Sequence, residues 1–579
     1  MVKYRIMKKY IHIYIIAIAF SLIFTGCIKE TFPDDSYATS TQIEKSSSAL
    51  KSLMNAIPAI MVNYGNDDAG IESVSYATLQ LLLETTTTDM VVSGDQGWDV
   101  CGAFSRAQSL DAKLNNRGKY IFFAYYGYIK TVNDIIAKID STTKDPTLKA
   151  YLGIAHAYRA LYYMDIVQIY EFKENKYLSS SKDILGLGVP IVTEKTTNAD
   201  AKNNPRKKVS DVYDLIFSDL SVAEKDLSDY TRDSKTTPNL AVVDGLYARA
   251  YLNRASAGDN TLWAKASEYA RKAITESGCT PLTQDQWEDA TNGFNNMDSQ
   301  NSWMWATSIS TNNTAATASG FNYTMLLSCE QSWLVYGWCV GRSLSRRTYD
   351  QIPDNDFRKH SWLDPQFFKE SGDIYSGYQY KVASSYSHIR SQITKSNGFL
   401  ACPYVYVSIK FKPKERNYTN ANIGGATDYP IMRVEEMYFI EAEAEAHNDL
   451  SKAEQLLNDF MKYRITDGSY DCTKKVTDLP SFISELIFQK RVEFWGEGRN
   501  YYDAKRLELG LHRGYKGINA SSYKNTFDLD NIAPQWTLPF PTAEIEGNTA
   551  IRNYDNPDPS STSRWWASSN DILINNYGN

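Results

Sequence analysis

Two separated stretches of this chain are written to one plan, and that plan constrains the fold more than any other feature. Leu246 to Ile274 and Met437 to Arg464 each hold an alanine-rich helical pattern, a polar turn and a second helical pattern. The turns carry Gly258-Asp259 and Asn448-Asp449, and the second helices carry internal alanines, Ala264 and Ala266 in one and Ala453 in the other. Small residues where two helices cross, joined by a tight turn, give an antiparallel hairpin that buries its apolar face only by stacking on a neighbour. Glu441, Glu443 and Glu445 alternate along the second stretch, so only Glu441 and Glu445 share a face. They read as scaffold, not as a carboxylate pair.

This is the logic of tetratricopeptide repeats. Tyr120 to Asp140 and Leu148 to Tyr170 supply another hairpin, and Ser40 to Asn63 with Ile71 to Thr88 an opening one, completing a degenerate set of four. Val189-Pro190 and Pro205 to Ser210 form a linker into a further helix, Val209 to Leu227. Near the end, Ile483, Leu486, Ile487 and Phe494 recur at helical spacing until Gly496 and Gly498 interrupt them, and a second helical run ends near Gly510. Around that turn stand Arg491, Glu493, Glu497, Arg499, Asp503 and Arg506. Arg499/Asp503 and Asp503/Arg506 are spaced to meet on one helix face. A catalytic reading of Glu493 and Glu497 is disfavoured: neighbouring arginines keep both ionised, whereas a general acid needs a raised pKa. The expectation is a salt-bridge network that pins two helices.

Between the third and fourth hairpins, residues 280–429 lose helical periodicity and become rich in Ser, Asn, Gly, Tyr and Trp. Val405 to Phe411 is a candidate extended segment. So long an irregular stretch is usually functional. It holds Trp287, Trp303, Trp305, Trp333, Trp338 and Trp362, which argues for a face on which rings stack while nearby polar groups take hydrogen bonds. The alternative is a second small core built from the same rings. Thr85 to Gly102 reads as a polar, glycine-bearing loop presenting Trp98 beside Asp95, Gln96 and Asp99. Aromatic residues make 13% of the chain, with 41 tyrosines among them, and rings with a polar tip suit wet surfaces as well as cores.

The N-terminus sets the compartment. Lys3, Arg5, Lys8 and Lys9 precede an apolar run from Ile11 to Phe24, the charged and hydrophobic regions of an export signal, too short to be a good spanning helix. Phe24-Thr25-Gly26-Cys27 closes it and resembles a lipobox, with Phe24 where leucine is usual. Cys27 then becomes the lipidated first residue. An uncleaved anchor and a plain secretory signal are the alternatives. Lys29, Glu30, Asp34 and Asp35 follow as a polar tether.

Arg491, Glu493, Phe494, Glu497, Gly498, Arg499, Asp503 and Arg506 fall on an R-x-E-F, E-G-R, D-x-x-R pattern that resembles the C-terminal signature of the SusD/RagB family, nutrient-binding lipoproteins of the Bacteroidetes outer membrane. Asn133, Arg159, Ala160 and Tyr163 fall on its Y-x-x-I-x-x-x-N and A-x-x-R-A-x-x-Y helices. Leu538, Pro539, Pro541, Glu544, Ile545 and Asn548 match its L-x-x-P-x-x-E-I-x-x-N tail, expected to run extended because prolines stand in it. The resemblance implies a mostly α fold: a tetratricopeptide-like helix-hairpin scaffold with a large, loop-rich insertion carrying short strands. It divides the chain into a signal peptide (1–26), a flexible tether (27–40) and one domain (41–579), whose scaffold is 41–279 and 430–579 and whose insertion is 280–429. It further implies a surface-exposed lipoprotein that captures an oligosaccharide and delivers it to a SusC-like TonB-dependent transporter. By location in the family, the ligand residues are Asp95, Gln96, Trp98 and Asp99, then Trp333, Tyr336 and Trp338. A peptide-binding uptake protein of the same fold and a surface glycosidase are the rivals.

Enzyme signatures are missing from the text. There is no H-E-x-x-H, G-x-S-x-G or phosphate loop. The five histidines after Cys27 (His156, His360, His388, His447 and His512) show no metal-ligand spacing, and His156 reads as a packed helix residue. The cysteines Cys101, Cys279, Cys329, Cys339, Cys402 and Cys472 contain no C-x-x-C; Cys329/Cys339 is the closest pair. A net charge of −7 implies no nucleic-acid surface. No cofactor is expected, because capture needs only stacking and hydrogen bonds.

Overall fold

The structure, a computed structural model, describes residues 47–63, 75–92, 117–178, 182–312, 327–330, 342–368, 380–393, 399–400, 405–515, 517, 519 and 527–559. Residues 51–579 form one unit; of the N-terminal unit, Met1–Leu50, only the first residues of helix α1 (Ser47–Val62) are described.

Helix α2 (Tyr76–Glu84) starts at a Ser75 capping box and is buried along its whole length. Strand β1 (Met90–Val92) follows it. Residues 85–87 and 89–92 are buried, which corrects the reading of Thr85 to Gly102 as wholly surface loop: its first part packs inside. The threonine run ends the helix by hydrogen-bonding back to it, Thr85, Thr86 and Thr87 Oγ1 donating to the carbonyls of Leu82, Leu83 and Glu84.

The helical pile then forms as its alanines predict. Helix α3 (Arg117–Ile136) pairs with α4 (Pro146–Tyr170). Asp145 caps α4, its Oδ1 accepting from Thr147 and Leu148 N–H at 2.8 and 3.1 Å, and Pro146 occupies the first turn, where no donor is needed. Helix α5 (Val209–Asp226) packs on α4, α6 (Leu240–Ser256) on α5, and α7 (Trp263–Ser277) on α6. Approach is close: a Cβ on Gly153 would stand 2.8 Å from Leu227 Cγ. Arg159, from the family pattern, is buried and grips Asp219 on α5 (2.8 and 2.7 Å), Asn133 on α3 (2.8 Å) and Glu194 of the linker (2.7 Å). His156 Nδ1 lies 2.6 Å from the same Asp219, the packed role its helix context predicts.

The chain next leaves the pile through α8 (Gln284–Glu288), β2 (Trp303–Ser308), β3 (Arg342–Leu344), α9 (Ser387–Ser391) and β4 (Asp428–Arg433). Strands β1 and β3 pair antiparallel, as do β2 and β4. Val405 to Phe411 contributes isolated bridges, Val407 to Ser343 and Ser408 to Trp362, where a strand was expected. On its return the chain lays α10 (Val434–Ala446) directly against α7, so stacking resumes with α11 (Leu450–Met461) and α12 (Leu479–Glu493), followed by α13 (Arg499–Arg506). Glu441 pairs with Arg271 and Glu445 accepts from Ser267, both on α7, while Glu443 turns the other way to Arg506 on α13 (2.6 Å). That is the face assignment their spacing dictates.

Trp287, Trp303, Trp305 and Trp362 are all completely buried. For these four the expected binding face gives way to burial: Trp287 and Trp303 pack on Phe294 inside the insertion, while Trp305 packs on Tyr158 of α4 and Trp362 on Trp495 of the closing hairpin. The tail carries a further correction. A short helix, α14 (Thr542–Gly547), begins immediately after Pro541, because a proline before the first turn removes no helical hydrogen bond. Asn548 then clamps the linker, exchanging bonds with the Asn204 N–H and carbonyl at 3.0 and 2.7 Å.

Candidate ligand-binding site

The turn between α12 and α13 organises everything around the site. Gly496 and Gly498 both have left-handed backbones (φ 80° and 75°), and a Cβ on Gly498 would stand 2.5 Å from Gln80 Cβ. This closeness lets the Glu84 carboxylate at the end of α2 accept from the Gly496 and Gly498 N–H groups at 2.8 and 2.5 Å. Burial pushes the Glu84 carboxyl up to about 8, against the pull of those two N–H groups.

Beneath the turn lies a buried charge network. Glu493 receives Arg358, Arg433 and Arg464; Glu497 receives Lys410 and Arg433; Asp356 pairs with Arg358, and Glu435 with Arg433 and Arg464. Four cations thus meet four carboxylates, with no side chain more than 3% exposed. Burial alone would raise the Glu493 carboxyl, but Arg464, Arg433 and Arg358 hold it well below the usual carboxylate range. Trp287 roofs the cluster, its ring centroid 4.8 Å from Lys410 Nζ and 5.5 Å from the Arg464 guanidinium. The predicted helix-pinning network is therefore present and larger than its local sequence shows. Arg358 and Lys410 bind the insertion to the scaffold. Asp503 meets Arg506 as its spacing predicts and also Lys490 (2.6 Å), while Arg499 turns to Glu436 (3.5 Å) instead of Asp503. Glu493 and Glu497 are structural.

Arg491 has a different task. It holds Asp89 at 2.7 and 2.5 Å. Asp89 also accepts from Thr348 Oγ1 (2.6 Å), and its carbonyl accepts from Ser345 N (2.8 Å) and Trp495 Nε1 (3.4 Å). One aspartate thereby fixes the foot of the β1–β3 ladder to the closing hairpin. In that ladder Val92 stands opposite Arg342, Val91 opposite Ser343 and Met90 opposite Leu344. Val92 leads into the segment with Asp95, Gln96, Trp98 and Asp99, and Arg342 closes the segment with Trp333, Tyr336 and Trp338. Those seven residues lie outside the described residues, as do Cys27, Cys101, Cys339 and Cys402; their stems share one end of one ladder.

A cleft of about 240 Å³ opens beside that foot, lined by Thr87, Thr88, Asp89, Arg491, Asp503 and His512 among others. Its charges are already paired, Arg491 with Asp89 and Asp503 with Lys490 and Arg506. Among the described residues it offers hydroxyls and an apolar wall, and both of its carboxylates are held in ion pairs. Sequence reasoning missed Glu84, Asp89, Arg358 and Lys410. The only trace of Lys410 was a charge set in the apolar alternation of Val405 to Phe411. No helix among the described residues is long and apolar enough to cross a membrane.

Stacked helix hairpins, an inserted module locked on by buried charge and a β1–β3 ladder that ties the two together define a helical scaffold protein. Residues 193–557 match the model of the SusD family, and residues 45–252 match a SusD-like model described as starch-binding and associating with the outer membrane. The chain belongs to the SusD family, also called SusD/RagB. SusD-like protein P2 of Formosa agariphila is 24% identical over 494 residues, 82% of this chain and 86% of that one. The fold is also that of a SusD-like carbohydrate binding protein from Bacteroides vulgatus (TM-score 0.67, 19% identity, 88% of this chain and 98% of the other). A laminarin binding SusD-like protein shares it too (TM-score 0.61, 18% identity, 89% and 99%).

Proposed function

We propose that this protein is a lipid-anchored glycan-binding protein of the cell surface, without catalytic activity, that captures an oligosaccharide and passes it to a SusC-like TonB-dependent transporter. The observation that carries the reading is the register of β1 against β3: the Trp98 segment and the Trp333–Trp338 segment leave and join the scaffold at one point, so their rings and polar groups can serve one ligand. Asp95, Gln96, Trp98 and Asp99 with Trp333, Tyr336 and Trp338 are the proposed contacts. Rings stack on the apolar faces of sugars, and the polar side chains choose among hydroxyls. Carbohydrate binding in the names of two structural relatives, and the starch-binding description of the matching model, support a glycan over a peptide. Cys27 is the proposed lipid attachment site, and outer-membrane association of the family supports it.

The test is calorimetry of purified protein against a glycan panel that includes laminarin and starch, beside a peptide panel and a reducing-sugar release assay. Saturable binding of one glycan class, weakened at least tenfold in Trp98→Ala, is the expected result. Peptide binding alone, sugar release, or unchanged affinity in Trp98→Ala would each overturn a part of the proposal.

A further inference from the structure

Away from the ladder, three short segments of the insertion bring together Glu288, at the end of α8, His360, in the 3-10 turn Phe357–Ser361, and His388 in α9. One ligand atom from each lies within 4.8 Å of the other two. His388 Nε2 is 3.1 Å from Glu288 Oε2, and His360 Nδ1 is 3.8 Å from Glu288 Oε1. We propose that these three side chains form a binding site for a divalent cation of the zinc type.

The distances separate this reading from a plain ion pair. At 3.8 Å His360 Nδ1 is too far to hydrogen-bond Glu288, and it is out of solvent contact with no hydrogen-bond partner among the described residues. Buried ring nitrogens are rarely left so. Two ligands of one tetrahedral zinc, each about 2.0–2.1 Å from the metal, stand about 3.3 Å apart. On the shared oxygen, Glu288 Oε1, the edges are 3.3 Å to His388 Nε2 and 3.8 Å to His360 Nδ1, one at that value and one somewhat above it, and the third edge lies within 4.8 Å. Two imidazoles and one carboxylate suit zinc and similar first-row ions, whereas calcium and magnesium take oxygen ligands. Three protein ligands leave a fourth position for water.

The cluster is also preorganised. Trp287 Nε1 donates to Ser361 Oγ at 2.7 Å, tying the residue before Glu288 to the residue after His360. Lys412 Nζ donates to the carbonyls of Glu288 (3.3 Å) and Gln392 (2.9 Å), bracing α9 against α8. The Gln284 amide steadies both Glu288 oxygens at 3.2 Å, and among the described residues no lysine or arginine pairs with that carboxylate. A bound cation would staple α9 to α8 and the 357–361 turn, stiffening the insertion without acting on the glycan.

The experiment uses the chain carrying no polyhistidine tag, stripped with a chelator and titrated with zinc by calorimetry and with cobalt by absorption. One equivalent of zinc should bind, cobalt should show the intense visible bands of a four-coordinate site, and zinc should raise the melting temperature. His388 is half exposed, so His388→Ala should fold normally and lose affinity by about tenfold or more, together with the cobalt bands and the thermal shift. Glu288→Gln should do the same. Absence of stoichiometric binding, or binding that survives both substitutions unchanged, would overturn the proposal.

Discussion

Replacing Glu493 by glutamine changes almost no volume and removes one charge from the centre of the molecule. The carboxylate accepts five bonds: Oε1 from Arg433 Nη1 and Nη2 and from Arg464 Nη2, Oε2 from Arg358 Nη1 and Arg464 Nε. An amide keeps one acceptor oxygen and turns the other into a donor. Whichever way it sits, at least two guanidinium N–H groups face an N–H, and four cations are left with three anions. Bonds to charged groups contribute about 1.5–3 kcal/mol each, and breaking a buried pair from one side costs about 3–5 kcal/mol. The expected loss is therefore about 3–5 kcal/mol at neutral pH. Urea unfolding followed by tryptophan fluorescence measures it, since Trp287 lies against the network. Salt should leave the difference unchanged, because the paired charges are buried and in direct contact. The pH profile adds a signed check. The folded pKa of Glu493 is depressed, so its stabilisation is complete above the ordinary value of 4.5 and disappears as pH falls toward the folded one; Glu493→Gln should lack that acid limb. A loss under about 1 kcal/mol would refute the claim that this network, and not helix packing alone, holds the insertion to the scaffold.

Glu84 titrates in the opposite sense. Its folded pKa is raised from 4.5 to about 8, so its contribution is complete below 4.5 and is lost as pH rises toward 8; Glu84→Gln should flatten the decline in urea midpoint across that window. Gly498→Ala should lower the melting temperature more than Gly278→Ala. Both need φ > 0, costing about 1–2 kcal/mol, but only Gly498 also meets a neighbour, Gln80, whereas the space beside Gly278 is open. Asp89→Asn should cost about 1.5–3 kcal/mol of stability, since Arg491 is 27% exposed but the Asp89 carboxylate it holds is buried, and should also weaken glycan affinity by freeing the ladder foot; calorimetry and urea melts on the same variant measure the two effects.

Local spacing carried much of this protein. The alanines of Leu246 to Ile274 and Met437 to Arg464 announced hairpins because a crossing needs small side chains wherever it occurs. Gly496 and Gly498 marked a turn because few other residues take φ > 0, and the alternation of Glu441, Glu443 and Glu445 fixed their faces because helical period is a local property. The fate of the insertion's tryptophans was not local. Trp287 looks in sequence like a binding ring, and only the arrival of Lys410, Arg433 and Arg464 beneath it makes it a roof over buried charge. The same holds for Asp89 with Arg491, for Val92 opposite Arg342, and for Glu288 with His360 and His388. The sequence determined which stretches are helical and how they pair with near neighbours, since that depends on side chains a turn or a hairpin apart. Tertiary structure alone decided which charges meet and which loops share a base, since those partners are brought together only when the whole pile has closed.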